Sequence, residues 1–316
     1  MGLQPDIIVA YTHNISDGGI RVHKLPRAGE TVRALEGGLG IDGAKGTNVA
    51  VAASRAGAKV ALVAHVQGGA WFDRAEKLLR EEEIDDRFVF CHPGTRQVPG
   101  CIIIDDEGNN MIILGSGTQQ ALLHEEVDLA LESMQSARYC VTGYELDVKS
   151  VEYLVRKARM LGIQTILNPS PVPNQKPGFW DCVDILVLNE VEAAHMLRLA
   201  DGQPTEQWEE TARKLRAAYG CRQVVVTLGP NGFCCLDGNN KITFGKGAKV
   251  DSIDATGAGD GFLGAMTARL AAGDSLGEAC RWANQYAAYT VQKSGTISSY
   301  PRLSELKLQR WAFDGG

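Results

Sequence analysis

The residues best suited to chemistry in this chain lie in one short segment, Asp254 to Asp260, that leads into an apolar helical run. Gly257, Ala258 and Gly259 have side chains too small to block an anion that approaches their backbone N–H groups. A helix start concentrates unpaired N–H groups and partial positive charge, which suit a phosphate. A carboxylate at the mouth of such a site would repel phosphate, so Asp260 is predicted to take the proton of a hydroxyl that attacks phosphorus. The alternative is a flexible glycine-rich loop in which Asp260 only favours the helix dipole.

A second group of polar residues could recognise a small polyol. The segment from Gly43 to Asn48 opens a predicted helix with small residues, the cation of Lys45 and one amide. Asp17 and Glu145 each follow a predicted strand, and a carboxylate in that place can accept two sugar hydroxyls. Taken one at a time, these residues are also explained by a closely packed helix start and by solvated loop carboxylates.

Two further polar loops follow predicted strands. Asn189 is a good N-cap and Glu192 completes a capping-box pattern, although both could instead face a metal-bound triphosphate. The segment from Thr227 to Gly232, which includes Gly229, permits a turn close to a ligand or an ordinary β-turn. Several such loops at strand ends together favour a phosphate site.

The elements that must position these residues alternate regularly. Short β-branched runs such as 7–10, 60–63 and 185–188 are separated by helical patterns such as 44–56 and 150–161. Continuous apolar strands bounded by helices predict a mostly parallel sheet covered on both faces.

Two stretches break this alternation. Residues 18–36 look extended, and residues 98–115 read as a hairpin with a polar turn at 105–110. They predict a small separate sheet, either a cover that excludes water from a site or a surface appendage.

Composition narrows the function classes. The 316 residues carry a net charge of −6, which argues against a nucleic-acid-binding surface. No segment approaches the roughly 18 apolar residues that span a bilayer. The eight cysteines form no C-x-x-C pair and several lie in apolar runs, which favours free thiols and a cytoplasmic location. The G-x-G-x-x-G at 38–43 has no acidic residue about 20 positions later, so dinucleotide binding is not expected.

Taken together, these motifs resemble those of the ribokinase (PfkB-type carbohydrate kinase) family over nearly the whole chain. The segments that carry the resemblance are, in order, 43–53 (GAKGTNVAVAA), 168–171 (NPSP), 189–192 (NEVE), 227–229 (TLG) and 254–260 (DATGAGD). The chain departs from the family pattern at Ala44, which stands where a second glycine is usual, and at Ile15, which stands where an asparagine is usual.

The resemblance implies one Rossmann-like α/β domain over residues 1–316, with a doubly wound, mostly parallel sheet. It also implies a β-sheet lid at about 12–38 and 96–116, through which the chain would form a homodimer. ATP, Mg²⁺ and K⁺ are the implied cofactors.

Carried over position by position, the resemblance implies a role for each matching residue. Asp260 would be the catalytic base, beside an anion hole formed by Gly257, Ala258 and Gly259. The sugar-side residues would be Asp17, Gly43, Lys45, Asn48 and Glu145. The nucleotide-side residues would be Asn189, Thr227, Gly229, Gly232 and Asn284. Glu192 would hold Mg²⁺ through water, and the monovalent cation site would use Asp254, Thr256, Thr290, Gly295 and Ser299.

The predicted reaction is ATP-dependent phosphorylation of the primary hydroxyl of a small sugar, with ribose favoured. Deoxyribose, a nucleoside or another sugar is the alternative acceptor. A non-catalytic sugar-binding regulatory protein is the alternative from another class, and retention of Asp260 beside the anion-hole glycines argues against it.

Overall fold

The computed structural model describes residues 4–16, 19–37, 42–66, 70–91, 101–107, 110–113, 121–174, 176–199 and 207–308. The strands in this part of the chain are, in order, β1 (Ile7–Ala10), β2 (Ile15–Ser16), β3 (Ile20–Arg21), β4 (Glu36–Gly37), β5 (Asp42–Gly43), β6 (Val60–Val66), β7 (Asp85–Cys91), β8 (Cys101–Ile104), β9 (Asn110–Ile113), β10 (Tyr139–Gly143), β11 (Gln164–Asn168), β12 (Ile185–Asn189), β13 (Gln223–Thr227), β14 (Phe233–Leu236) and β15 (Ile242–Gly245). The α-helices are α1 (Lys45–Arg55), α2 (Ala70–Glu81), α3 (His124–Ser133), α4 (Val148–Met160), α5 (Glu190–Met196), α6 (Trp208–Tyr219), α7 (Ala258–Ala272), α8 (Leu276–Thr290) and α9 (Leu303–Leu308).

Among the described residues, the main sheet has nine strands in the order β15-β14-β13-β12-β11-β10-β1-β6-β7. All neighbours are parallel except the pairs β13–β14 and β14–β15, which are antiparallel. The predicted doubly wound, mostly parallel sheet is therefore confirmed, with an antiparallel edge added by the hairpin after β13.

Both faces of this sheet are buried under helices, as its continuous apolar strands predict. Ile7 and Val9 of β1 pack with residues of α1, α2, α7 and α8 on one face. Ile8 and Ala10 pack with residues of α3, α4, α5 and α6 on the other. This alternation follows from the period of two along a strand, which sends successive side chains to opposite faces.

A small separate sheet is formed by β4-β3-β8-β9, and β2 and β5 form a two-stranded sheet of their own. β8 and β9 form the predicted hairpin, with Ile104 opposite Asn110. β3 pairs with β8 in parallel, so the two extended stretches of the sequence meet in one sheet.

Helices α1 and α7 cross in close contact, and a glycine makes this possible. A Cβ atom on Gly264 of α7 would lie 2.5 Å from the backbone oxygen of Val49 in α1. Only glycine permits such an approach, and it brings the first turns of the two helices to one place.

Within the described residues, no helix has both the length and the apolar character needed to cross a membrane. All eight cysteines are free thiols, and six of them are buried.

Candidate active site

The predicted site residues gather at the carboxyl ends of the parallel strands. β12 ends at Asn189, β13 ends at Thr227, and Glu145 follows the end of β10. Loops at this edge of an open α/β sheet form the usual ligand crevice.

Helix α7 begins in a conformation that exposes its N-terminus. Gly257 precedes it with φ +74°, a left-handed conformation that favours glycine. A Cβ atom there would also lie 2.6 Å from Cγ2 of Thr296. The amide of Ala258 donates to the Ala255 carbonyl at 3.2 Å, which closes the turn into the helix. Asp260 then lies in the first helical turn and is only 8% exposed.

Asp260 meets two side chains of the first turn of α1. Its Oδ2 accepts a hydrogen bond of 2.9 Å from Asn48 Nδ2, and its Oδ1 lies 3.4 Å from Lys45 Nζ. Lys45 and Asn48 are three residues apart and therefore share one face of the helix. The charge of Asp260 raises the pKa of Lys45, so this amine stays protonated. Two segments of the predicted site, more than 200 residues apart in sequence, are thus in direct contact.

Glu145 lies beside this cluster and is hydrogen-bonded to Lys45. Its Oε2 accepts a hydrogen bond of 3.2 Å from the backbone N–H of Lys45 and another from the hydroxyl of Thr12. Burial is the largest influence on this carboxyl and raises its pKa. Together, Asp260, Lys45, Asn48 and Glu145 combine acceptors and donors that suit an acceptor hydroxyl and its neighbours.

Asp254 joins the segment before α7 to the loop that begins at Gly295. Its two carboxylate oxygens accept hydrogen bonds from the amide of Thr256 at 2.9 Å and from that of Gly295 at 3.0 Å. The hydroxyls of Thr290 and Ser299 donate to backbone carbonyls nearby, and both residues are buried. Of the residues predicted for a monovalent cation, Asp254, Thr256 and Gly295 are therefore joined, whereas Thr290 bonds within α8 and Ser299 within its own loop.

A cavity of about 300 Å³ lies next to the start of α7. Its wall includes Ala258 and Gly259 and four of the predicted nucleotide-side residues, Thr227, Gly229, Gly232 and Asn284. Phe262, Ala287, Ala288 and Val291 supply an apolar surface. The side-chain amide of Asn284 donates to the Lys246 carbonyl at 2.9 Å. An apolar slot beside a helix N-terminus is suited to a planar base with phosphates at one end.

A larger cavity of about 610 Å³ lies elsewhere, where Trp180, Tyr219 and the end of α5 line it. None of the predicted site residues that the structure describes contributes to its wall. We therefore assign the smaller cavity to the site.

Asn189 and Glu192 form the capping box that their spacing predicts. Glu192 Oε2 accepts from the Asn189 amide at 2.9 Å, and Asn189 Oδ1 accepts from the Glu192 amide at 2.8 Å. The capping bonds fix both side chains at the edge of the sheet where β12 ends.

One predicted residue, Asp17, lies outside the described residues. The sequence reasoning also missed contributors that touch the site, above all Thr12 and Thr296. Thr12 follows β1 almost directly, a signal that could have identified it. Thr296 accepts a hydrogen bond of 3.1 Å from the Gly43 amide through its hydroxyl, and no local pattern signals that contact.

Comparison with known proteins gives consistent matches. The model of the pfkB family of carbohydrate kinases matches residues 20–303. Ribokinase of Mus musculus is 31% identical over 289 residues, which cover 90% of this chain and 88% of the mouse protein. Deoxyribokinase of Salmonella typhi is 26% identical over 286 residues, which cover 90% of this chain and 92% of that protein. The structure of Arabidopsis thaliana ribokinase complexed with ribose and ATP matches with a TM-score of 0.80 at 22% identity, covering 98% of this chain and all of that one, which supports the fold.

Proposed function

Because the chain belongs to the pfkB family of carbohydrate kinases, we propose that it transfers the terminal phosphoryl group of ATP to the primary hydroxyl of ribose. The hydroxyl oxygen forms a bond to the γ-phosphorus, and the bond from that phosphorus to the β–γ bridging oxygen breaks, releasing ADP. The hydroxyl proton passes to Asp260. The observation that carries the proposal is the nearly buried Asp260 in the first turn of α7, in contact with Lys45 and Asn48.

On this proposal, the side chains around Asp260 divide the work of phosphoryl transfer. Asn48 and Lys45 each face one oxygen of the base and so orient it towards the acceptor hydroxyl. Lys45 also brings positive charge to the phosphoryl group in transit, and the N–H groups of Gly257 to Gly259 add donors at the helix start. Glu145 and Asp17 accept hydrogen bonds from the other hydroxyls of the sugar.

The 300 Å³ cavity is the proposed nucleotide site. Its apolar part would take the base, with Thr227, Gly229, Gly232 and Asn284 on the wall. The triphosphate would extend past Ala258 and Gly259 towards Asp260. The terminal phosphate would then lie next to Asp260 and the acceptor hydroxyl.

The residues predicted for Mg²⁺ and K⁺ offer suitable donors. Glu192 has a carboxylate at the end of β12, and hard divalent cations prefer such oxygen ligands. Mg²⁺ held there through water would neutralise charge on the phosphates. Asp254 supplies a carboxylate between two loops, and oxygen ligands of this kind suit K⁺. A cation there would stiffen the loop before α7 without touching substrate.

The small sheet is the proposed lid. Its strands β3, β4, β8 and β9 come from the two stretches predicted to cover the sugar. Ile20, Leu35, Met111 and Ile113 expose between 37% and 55% of their surface. Exposed apolar side chains on one small sheet, and at Leu35 directly before its strand β4, suit an interface, so we also propose a homodimer through this sheet.

A coupled assay of ADP release tests the substrate. Pentoses, deoxypentoses, hexoses and nucleosides are compared at equal concentration, with a reaction that lacks an acceptor as the blank for contaminating ATPase. We expect the highest kcat/KM for ribose and, by phosphorus NMR, a phosphate ester on its primary carbon. A clear preference for deoxyribose or a nucleoside would assign the chain to that substrate instead. ADP release no faster than the blank with every acceptor would favour the non-catalytic sugar-binding protein.

A further inference from the structure

The loop of residues 295–300 touches both halves of the active site. On the sugar side, the hydroxyl of Thr296 accepts from the Gly43 amide at 3.1 Å. On the phosphate side, the hydroxyl of Tyr300 donates to the Gly257 carbonyl at 2.9 Å, directly before α7. This loop is therefore hydrogen-bonded to two backbone segments that, on the proposed function, lie on either side of the transferred phosphoryl group.

Arg55 donates hydrogen bonds to two backbone carbonyls of this loop. Its Nη1 donates to the carbonyls of Ile297 at 2.6 Å and Tyr300 at 2.8 Å. Arg55 is the last residue of α1, the helix that begins with Lys45. One helix thus contacts Asp260 at its first turn and supports the loop at its last.

Arg55 is itself fixed by a buried carboxylate. Its Nε and Nη2 bond to the two oxygens of Glu82 at 3.0 and 2.7 Å, and the two side chains are only 14% and 5% exposed. The hydroxyl of Ser54 donates to the Glu82 carbonyl at 2.7 Å. Arg302 also reaches Glu82, at 3.1 Å, but its side chain is 56% exposed.

We propose that Arg55 is a positioning residue for phosphoryl transfer that acts through the 295–300 loop. A guanidinium is planar and offers donors on separate edges, so one edge can hold Glu82 while another holds two carbonyls. A lysine ammonium keeps the charge but lacks this fork. Glu82 keeps the guanidinium in place, and the loop transmits that position to Gly43 and Gly257.

The first test compares Arg55→Lys with Arg302→Lys. Both variants keep a cation opposite Glu82, but only the first loses contacts to the loop. We expect Arg55→Lys to lower kcat by about 10- to 100-fold, because displacements near 1 Å cost rate on that scale. The apparent KM for ATP should change little, since Arg55 does not line the nucleotide cavity. Arg302→Lys should keep the wild-type kcat, and thermal unfolding should show that both variants are folded.

A double-mutant cycle tests the route. Tyr300→Phe removes the hydrogen bond to Gly257 without touching Glu82. If Arg55 acts through the loop, the two substitutions disturb the same contact. The fold-loss of kcat in the double variant should then be smaller than the product of the fold-losses in Arg55→Lys and Tyr300→Phe. Wild-type kcat in Arg55→Lys, or effects that multiply fully, would overturn the proposal. Should Arg55→Lys fail to fold, Glu82→Gln weakens the same anchor and must lower kcat with the same non-additivity.

Hydrogen exchange gives a readout that does not depend on any substrate. The amide of Gly295 donates to the carboxylate of Asp254, that of Thr296 to the carboxylate of Asp42, and that of Ser299 to the Thr296 carbonyl. They should exchange faster in Arg55→Lys and at the wild-type rate in Arg302→Lys. Unchanged exchange in Arg55→Lys would contradict the proposal even if no acceptor were phosphorylated.

Discussion

Replacing Asp260 with asparagine tests the centre of the proposed mechanism. The substitution keeps the size of the side chain but removes its ability to take a proton. The new amide oxygen could still accept from Asn48 Nδ2, which lies 2.9 Å from the present carboxylate. The new amide nitrogen would then face the ammonium of Lys45, where Asp260 Oδ1 now lies 3.4 Å away. The variant therefore loses both the base and the partner of Lys45.

The expected magnitude follows from general base catalysis. A positioned base contributes about 10²- to 10⁴-fold, which corresponds to about 3 to 5 kcal/mol of activation free energy. The loss should fall on kcat. ATP binding should stay close to wild type, because Asp260 does not line the nucleotide cavity and Lys45 keeps its charge.

The assay measures kcat by coupled ADP release and ATP affinity by calorimetry. The matched control is Asp181→Asn, which changes an exposed carboxylate in the short 3₁₀ helix before β12. Near-normal kcat in Asp260→Asn would refute its assignment as the base. Equal losses of activity in the two variants would point to a general effect on the protein.

Three further predictions concern ions, acid and assembly. Activity should rise several-fold with KCl relative to choline chloride at constant ionic strength, and Asp254→Ala should abolish this response; equal rates in both salts would exclude the cation site. Burial lowers the pKa of His13 from 6.5 to about 4, so only the unfolded chain gains this proton as the pH falls from 6.5 to 4, and the folded state loses about 3 kcal/mol over that range. In denaturant titrations, the free energy of unfolding of His13→Gln should therefore fall less between pH 6.5 and 4 than that of the wild type. An equal fall in both proteins would contradict the prediction. Ile113→Glu should halve the mass measured by light scattering, while Phe244→Glu, a similarly exposed residue on β15, should leave the mass unchanged.

The sequence was most informative where function depends on a continuous segment. The apolar runs at 7–10, 60–63 and 185–188 and the helical patterns at 44–56 and 150–161 follow from local periodicity. The structure confirms them as β1, β6, β12, α1 and α4, with shifts of a few residues at their ends. The sequence reasoning did not identify β7, α3 or α8. The signature from Asp254 to Asp260 predicts a helix start, which α7 confirms, and the role of Asp260 as a base, which stays a prediction. The family matches confirm the resemblance and the carbohydrate kinase activity that it implies.

The contacts that the sequence could not predict are those between distant side chains. Arg55 and Glu82 each look like ordinary charged residues at a helix end, and only the fold shows that they are buried together. The bond from Gly43 to Thr296 spans 253 positions and depends on how the last loop packs. Local patterns carry no information on such pairs, because their geometry is set by tertiary packing.

The close crossing of α1 and α7 has a consequence for when the enzyme becomes active during its synthesis on the ribosome. The chain reaches the ribosome exit in order, so Lys45 and Asn48 emerge long before Asp260. Parallel-sheet domains depend on contacts between distant segments, and such contacts form late. On the proposed mechanism, a nascent chain that stops before Gly264 has no proper partner for α1 and no positioned base. An interrupted translation product would therefore be inactive as a kinase.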